Sequence, residues 1–359
     1  MYEISEMKTL ISILFLFLGN FWDLLSQPYP PGDISVTYDK QTKEQYATGS
    51  DNFQVTWADD NRQYAAWGDG GGFNGTNTDG RVTLGVARIE GTKDDYHGAN
   101  VWGGYKAENP AQFEGKSWGM ICVESTLYMW VTSEQHPHTE DVTLAYSTDH
   151  GAHWTLSEVV FQNSENMTIP TFLQFGRNYE GALDEYIYSY FIHSLLQTED
   201  FDISTPGKIY LARVLKDEIL DKSKYEYFSG ADSTSVYWTK SLQEKQPVFI
   251  NNSDGVGWNL SVSYNAPLKR YFLMTEHKNT QAGFHGMFDA PTPWGPWTTV
   301  EYANGNWLGY GSTFFRCFSN KWLSEDGKDF VMIFTGNNRV GMNDAWNYIE
   351  GSFSIHFLK

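Results

Sequence analysis

Asp51-Asn52-Phe53-Gln54-Val55-Thr56-Trp57, a polar break at Asp59-Asp60-Asn61, then Gln63-Tyr64-Ala65-Ala66-Trp67: the reading of this stretch decides the fold. Two runs rich in aromatic and β-branched residues, separated by turn formers, read as an antiparallel hairpin. The pattern returns four more times. It recurs at Gly119–Val123 with Leu127–Val131, at Thr171–Phe175 with Glu185–Tyr190, at Trp258–Tyr264 with Arg270–Met274, and at Ser312–Arg316 with Phe330–Phe334. Further strand-like runs follow the copies, Leu84–Arg88 and Ile209–Arg213 among them. Five similar hairpins, each extended to about four strands, predict an all-β, five-bladed β-propeller. A β-sandwich is the alternative, but it does not require five similar hairpins. One short helix is expected, over Val214–Lys222.

Composition agrees with that architecture. Of 359 residues, 41% are hydrophobic and 19% charged, which suits a chain with a sizeable core and argues against global disorder. The 14 Trp, 22 Tyr and 23 Phe suit packed strands, and a few of them would suit sugar rings, whose C–H faces pack on aromatic faces. A net charge of −19 with no basic patch argues against a nucleic-acid partner. Lys8 precedes an apolar run from Leu10 to Leu18, and the Pro-rich segment Gln27–Gly32 follows. The run is short for a bilayer span and reads as a signal peptide over residues 1–26, with Met7 an alternative start. The expectation is a secreted monomer, free of the membrane after cleavage, with residues 27–359 forming one domain. The two cysteines, Cys122 and Cys317, lie in strand-like sequence and read either as a pair or as two buried thiols.

Ser147-Thr148-Asp149-His150-Gly151-Ala152-His153-Trp154 is similar to the Asp-box of sialidase-like propellers, Ser-x-Asp-x-Gly-x-x-Trp. That motif belongs to turns between outer strands, so Asp149 is read as structural and not as catalytic.

Propeller geometry sorts the polar residues. First strands begin on the axial face and second strands return to it. The residues at those places are Asp51, Asp69, Lys116, Glu134, Glu276, His277, Asn337 and Asn338. Asp51 and Asp69 emerge from one hairpin on adjacent strands, where two carboxylates suit acid–base work across a glycosidic bond. The structural alternative is a turn cap at Asp51 and a turn residue at Asp69. The run Gly70-Gly71-Gly72 would let backbone approach a bulky ligand, and no helix follows it to make a phosphate loop. Candidate substrate-binding residues are Trp67, Phe73, Lys116, Trp118, Trp258, Asn259 and Glu276. His136 and His138 read as a solvated loop, with a metal site as the alternative, His285 as structural, and Asp59, Asp60, Asp94 and Asp95 as turn residues. No nucleophile elbow or zinc-helix signature is present, so neither a cofactor nor a metal is expected.

The chain resembles domain-of-unknown-function family 4185. The resemblance rests on Asp51-Asn52-Phe53 with Thr56-Trp57-Ala58-Asp59-Asp60, Trp67-Gly68-Asp69-Gly70 and Lys116-Ser117-Trp118-Gly119. It continues through Leu211-Ala212-Arg213-Val214, Tyr225–Gly230, Gly257–Asn265 and Ala290–Trp297. The resemblance implies a five-bladed propeller, and some relatives are endo-acting D-arabinanases of glycoside hydrolase family 183 with an active-site aspartate pair. The matching positions are Asp51 and Asp69. The expectation is therefore a secreted glycoside hydrolase acting on a polysaccharide. A non-catalytic carbohydrate-binding propeller and a polysaccharide lyase are the alternatives.

Overall fold

The structure, a computed structural model, describes residues 27–132, 141–193, 203, 205–336 and 344–356. The expected signal peptide, Glu134, His136, His138, Asn337 and Asn338 lie outside the described residues. Strand β1 (Ile34–Tyr46) comes first, followed by four strands of the first blade, β2 (Asp51–Trp57), β3 (Gln63–Gly68), β4 (Leu84–Glu90) and β5 (His97–Trp102). The second blade is β6 (Lys116–Val123), β7 (Thr126–Thr132), β8 (Val142–Ser147) and β9 (Thr155–Phe161). The third is β10 (Thr168–Gln174), β11 (Tyr186–Ile192) and β12 (Gly207–Leu215), beyond which lie β13 (Glu226–Ala231), β14 (Val236–Thr239) and β15 (Pro247–Asn251). The fourth is β16 (Ser261–Asn265), β17 (Arg270–Thr275), β18 (Phe284–Ala290) and β19 (Thr298–Asn304). The fifth is β20 (Thr313–Phe318), β21 (Asp329–Gly336) and β22 (Trp346–Ile355), completed by β1.

The blades form a ring. Each inner strand packs on the next in the order β2, β6, β10, β16, β20, and β20 packs on β2. β10 and β16 also pair in parallel, Leu173 with Val262 and Gln174 with Ser263. The ring is shut by β1, which pairs antiparallel with β22 from Ile34 opposite Ile355 to Tyr46 opposite Trp346. Beside that seam the His356 N–H donates to the Asp33 carbonyl at 2.6 Å. The fold is thus a five-bladed β-propeller.

Most of the aromatic excess lies between blades. Phe53 meets Trp346 edge-on at 5.2 Å where blades one and five join, and Trp130 stacks on Phe172 at 5.6 Å between blades two and three. Trp67, Trp102, Trp130, Trp307 and Trp346 are fully buried. Burying side chains of this size stabilises by about 1.5–3 kcal/mol each, and edge-on geometry adds specificity to the contact.

Four inner strands carry a bulge near their first residues, between Asp51 and Gln54, Ser117 and Gly119, Thr168 and Thr171, and Phe314 and Arg316. Bulges bend a strand and free its N–H groups for other partners. Side chains of the preceding blade take two of these. The Asn52 N–H donates to Thr335 Oγ1 at 3.0 Å, and the Phe315 N–H donates to Glu276 Oε1 at 2.6 Å.

The helix expected over Val214–Lys222 is not formed. Val214 and Leu215 pair with Ile187 and Tyr186, and only two short 3₁₀ turns follow, at Lys216–Glu218 and Lys222–Lys224. The sheet claims the apolar residues that such a helix would need. Cys122 and Cys317 are free, buried thiols on inner strands of different blades. The Ser147–Trp154 segment turns β8 into β9 on the face opposite Asp51. Ser147 Oγ donates to Asp149 at 2.8 Å, the Gly151 N–H donates back to Ser147 Oγ at 2.9 Å, and Trp154 is buried. Asp59–Asp60 and Asp94–Asp95 lie in the hairpin turns after β2 and β4.

Candidate active site

Asp51 opens β2, and its partner across the hairpin is Gly68, the last residue of β3. Asp69 follows immediately, with a left-handed backbone (φ 53°) that turns its side chain out of the sheet. Asp tolerates this region better than most residues, and such conformations concentrate at functional sites. Gly68 is glycine for a local reason. A methyl group there would come within 2.7 Å of Asp51 Oδ1 and 3.4 Å of Lys116 Cδ. Asp51, Asp69 and Lys116 therefore enclose one small point at the tops of blades one and two.

The turn beyond Asp69 is clamped from behind. Asn100 is buried, and its side-chain amide donates to the carbonyls of Gly71, Phe73 and Tyr105 at 2.9–3.0 Å while accepting from the Phe73 N–H. Ser50 Oγ accepts from the Gly72 N–H at 2.9 Å. The segments bearing Asp51 and Asp69 are thereby tied to each other.

The charges around the pair are asymmetric. Lys116 Nζ lies 2.6 Å from Asp69 Oδ1, and Arg81 Nη2 lies 3.1 Å from the same oxygen. Asp51 makes no such ion pair among the described residues. It is part-buried and keeps an edge open to water. Burial, then the charges of Asp69 and Asp344, push its carboxyl well above the usual range, and Lys116 and Arg81 only partly oppose this. Asp344 is the residue that sequence reading missed. It sits just before β22, and its carbonyl accepts from the Gly49 N–H at 2.9 Å. Burial and then Asp69 raise its carboxyl too. Third strands also start on the axial face, so an Asp just before Trp346 was a usable signal.

The other expected residues fall into two groups. Trp67 is wholly buried, with Gly72, Gly85 and Gly104 packed against its ring. Phe73 is buried against Phe53 and Trp346. Both support the turn from behind and offer no face to a sugar, which corrects their reading as subsite residues. Trp118 and Trp258 are also buried. They meet edge-on at 5.7 Å, side chains of blades two and four packed on each other, so their rings too are closed to a sugar.

Glu276 forms a second centre with Asn259, whose Nδ2 donates to both of its oxygens at 3.3 Å. It is 2% exposed. Burial pushes its carboxyl up to about 7 against the opposing pull of Arg316, the Phe315 N–H and Asn259. Arg316 is equally buried. Its guanidinium lies 4.6 Å over the Trp307 ring and donates to Thr313 Oγ1 at 2.8 Å. Glu301, bonded by Tyr38 at 2.7 Å and by Trp307 at 3.1 Å, completes the centre. Among the described residues no group of three His, Cys, Asp or Glu side chains is gathered for a metal. Nor, among them, is any helix long and apolar enough to cross a membrane.

The model of the family described as Domain of unknown function (DUF4185) matches residues 32–315, most of the chain. The chain belongs to the DUF4185 family. Solved structures similar to this DUF4185 protein include a candidate hydrolase from Bacteroides ovatus, 11% identical with a TM-score of 0.55, covering 90% of this chain and 92% of that one. Another is the RS223 β-xylosidase, 10% identical with a TM-score of 0.53, covering 87% and 98%. At these identities the likeness is one of fold. No curated protein matches the sequence.

Proposed function

We propose that this protein is a secreted glycoside hydrolase that cuts a polysaccharide on the axial face of its propeller. The observation that carries the reading is the asymmetry of the aspartate pair. Asp69 has two cations on one oxygen, whereas Asp51 is part-buried and repelled by two carboxylates. Neighbouring carboxyls set in such unequal surroundings are what acid and base roles require. Asp51 is the proton donor to the leaving oxygen, and Asp69 is the carboxylate that activates water or attacks the anomeric carbon. Their separation in the bound state sets inversion or retention. Lys116 holds Asp69 in place, and Asp344 adds negative charge near the developing cationic sugar. The family resemblance makes D-arabinan the first substrate to try. The β-xylosidase of similar fold makes xylan the second.

The test is incubation of the protein and its Asp51→Asn and Asp69→Asn variants with a polysaccharide panel that includes D-arabinan and xylan. New reducing ends from the unaltered protein, lost in both variants, are expected. Unsaturated products would replace hydrolysis by elimination, and binding without turnover would leave only a carbohydrate-binding propeller.

A further inference from the structure

A groove of about 900 Å³ runs between the connection leading into β4 and the connection leading from β5 to β6. Arg81 forms one lip of it, and the same guanidinium reaches Asp69 at 3.1 Å. The groove therefore starts where the carboxylate centre ends. Its walls are of mixed character. Val82, Ala111 and Phe113 are half-buried and supply apolar surface, and Phe113 is held by Trp102 at a ring separation of 5.0 Å. Lys106 and Glu114 are exposed and charged on the rim. Lys106 is held with a left-handed backbone (φ 48°), an uncommon state for a residue with a side chain.

We propose that this groove binds the stretch of glycan chain adjoining the bond that is cut, so that the protein recognises an extended polysaccharide and not an isolated disaccharide. The proposal rests on the hydrolase reading for its direction, because the groove adjoins Asp69. Its chemistry is independent of that reading. A sugar ring has an apolar C–H face and a rim of hydroxyls. Half-buried Val82, Ala111 and Phe113 match the face, and Arg81, Lys106 and Glu114 match the hydroxyls. Clefts of roughly 300–1,000 Å³ serve ligands larger than one sugar, so the size suits several residues in a row. An uncharged, hydroxyl-rich chain also fits the charge balance, since the rim carries both signs and Arg81 is already paired with Asp69.

The test uses the Asp51→Asn protein, which is expected to bind without turnover, and D-arabinan oligosaccharides of six and of two residues. Titration calorimetry is expected to give at least about tenfold tighter binding of the longer chain. Ala111→Trp, which fills the groove, should bring that ratio close to one while leaving disaccharide affinity unchanged. Lys106→Glu, a surface change, should reduce the ratio in the same direction. Thermal unfolding establishes that each variant is folded. A folded Ala111→Trp protein that keeps the full preference for the longer chain overturns the proposal, and so does a lack of binding at either length. Groove-dependent binding with no hydrolysis by the unaltered protein upholds the groove and removes the hydrolase reading. Hydrolysis with an unchanged ratio does the reverse.

Discussion

The propeller has two carboxylate centres in its axial half, and they differ in what surrounds the charge. At the joint of blades one, two and five, Asp51, Asp69 and Asp344 face Lys116 and Arg81 with water at hand. At the joint of blades four and five, Glu276 and Arg316 are buried with part-buried Glu301 beside them, and fixed donors hold both carboxyls. Both raise carboxyls above their ordinary range, chiefly by burial. The open centre adds repulsion between like charges, which a bound substrate or a transferred proton would relieve. The inner centre has the bonds and packing of a blade-to-blade strut. A raised carboxyl does not by itself mark chemistry; access and unequal neighbours do.

The sharpest break between the two is expected from Asp69→Asn. Hydrolysis should fall by about 10²–10⁴-fold, with little change in thermal stability, because its ion pairs are partly exposed and worth at most about 1 kcal/mol. Next comes Arg316→Leu, which removes the cation whose charge favours buried Glu276 and part-buried Glu301. Denaturant unfolding should register a loss of about 3–5 kcal/mol, and the protein that stays folded should keep the pH profile of activity.

A third comparison is Glu276→Gln, which keeps an acceptor for the Phe315 N–H but cannot ionise. The folded carboxyl titrates near 7 against an ordinary value of 4.5. The folded state therefore holds its proton while the unfolded state releases it, and stability is lost as pH rises through that window. His277, lowered to about 3 by burial, acts in the opposite sense, losing stability as pH falls below its ordinary 6.5. The difference between wild type and variant isolates Glu276. Wild type should lose about 3 kcal/mol relative to Glu276→Gln between pH 4.5 and 7, and a flat difference would refute the assignment. The smallest effect is expected from Lys116→Met. Removing a cation raises the proton affinity of Asp51 further, so the alkaline limb of the activity profile should move to higher pH, whatever happens to the maximal rate.

Much of this comparison was legible in the sequence. The hairpins located all five blades because alternation between core-facing residues and turn formers is a local property. Asp51 and Asp69 followed from strand direction alone. The aromatics misled, since Trp67 and Phe73 pack behind a turn and Trp118 and Trp258 pack on each other. Nothing in a Trp's neighbours along the chain says which ring stays exposed. Asp344 was missed although its place before a third strand was a usable signal, and the partnership of Glu276 with Arg316 was hidden because it joins residues of different blades. β1 was hidden for another reason. The segment Asp39-Lys40-Gln41-Thr42-Lys43-Glu44 is polar and largely solvent-facing, so it carries little hydrophobic period, and a bulge there breaks the register as well.

That first strand makes the two ends of the described chain into neighbours. Blade five has its outer strand from β1 and its inner three from β20 to β22, so it cannot be assembled until β22 has been made. The four earlier blades can stack in the order they emerge, but they form an open arc until then. Fraying from either end opens the same seam, and the loss of one end leaves the other without its partner strand. The ring is in this sense a topological lock with a single keyhole, and everything at the joint of blades five and one, Asp344 included, reaches its final place only when it turns.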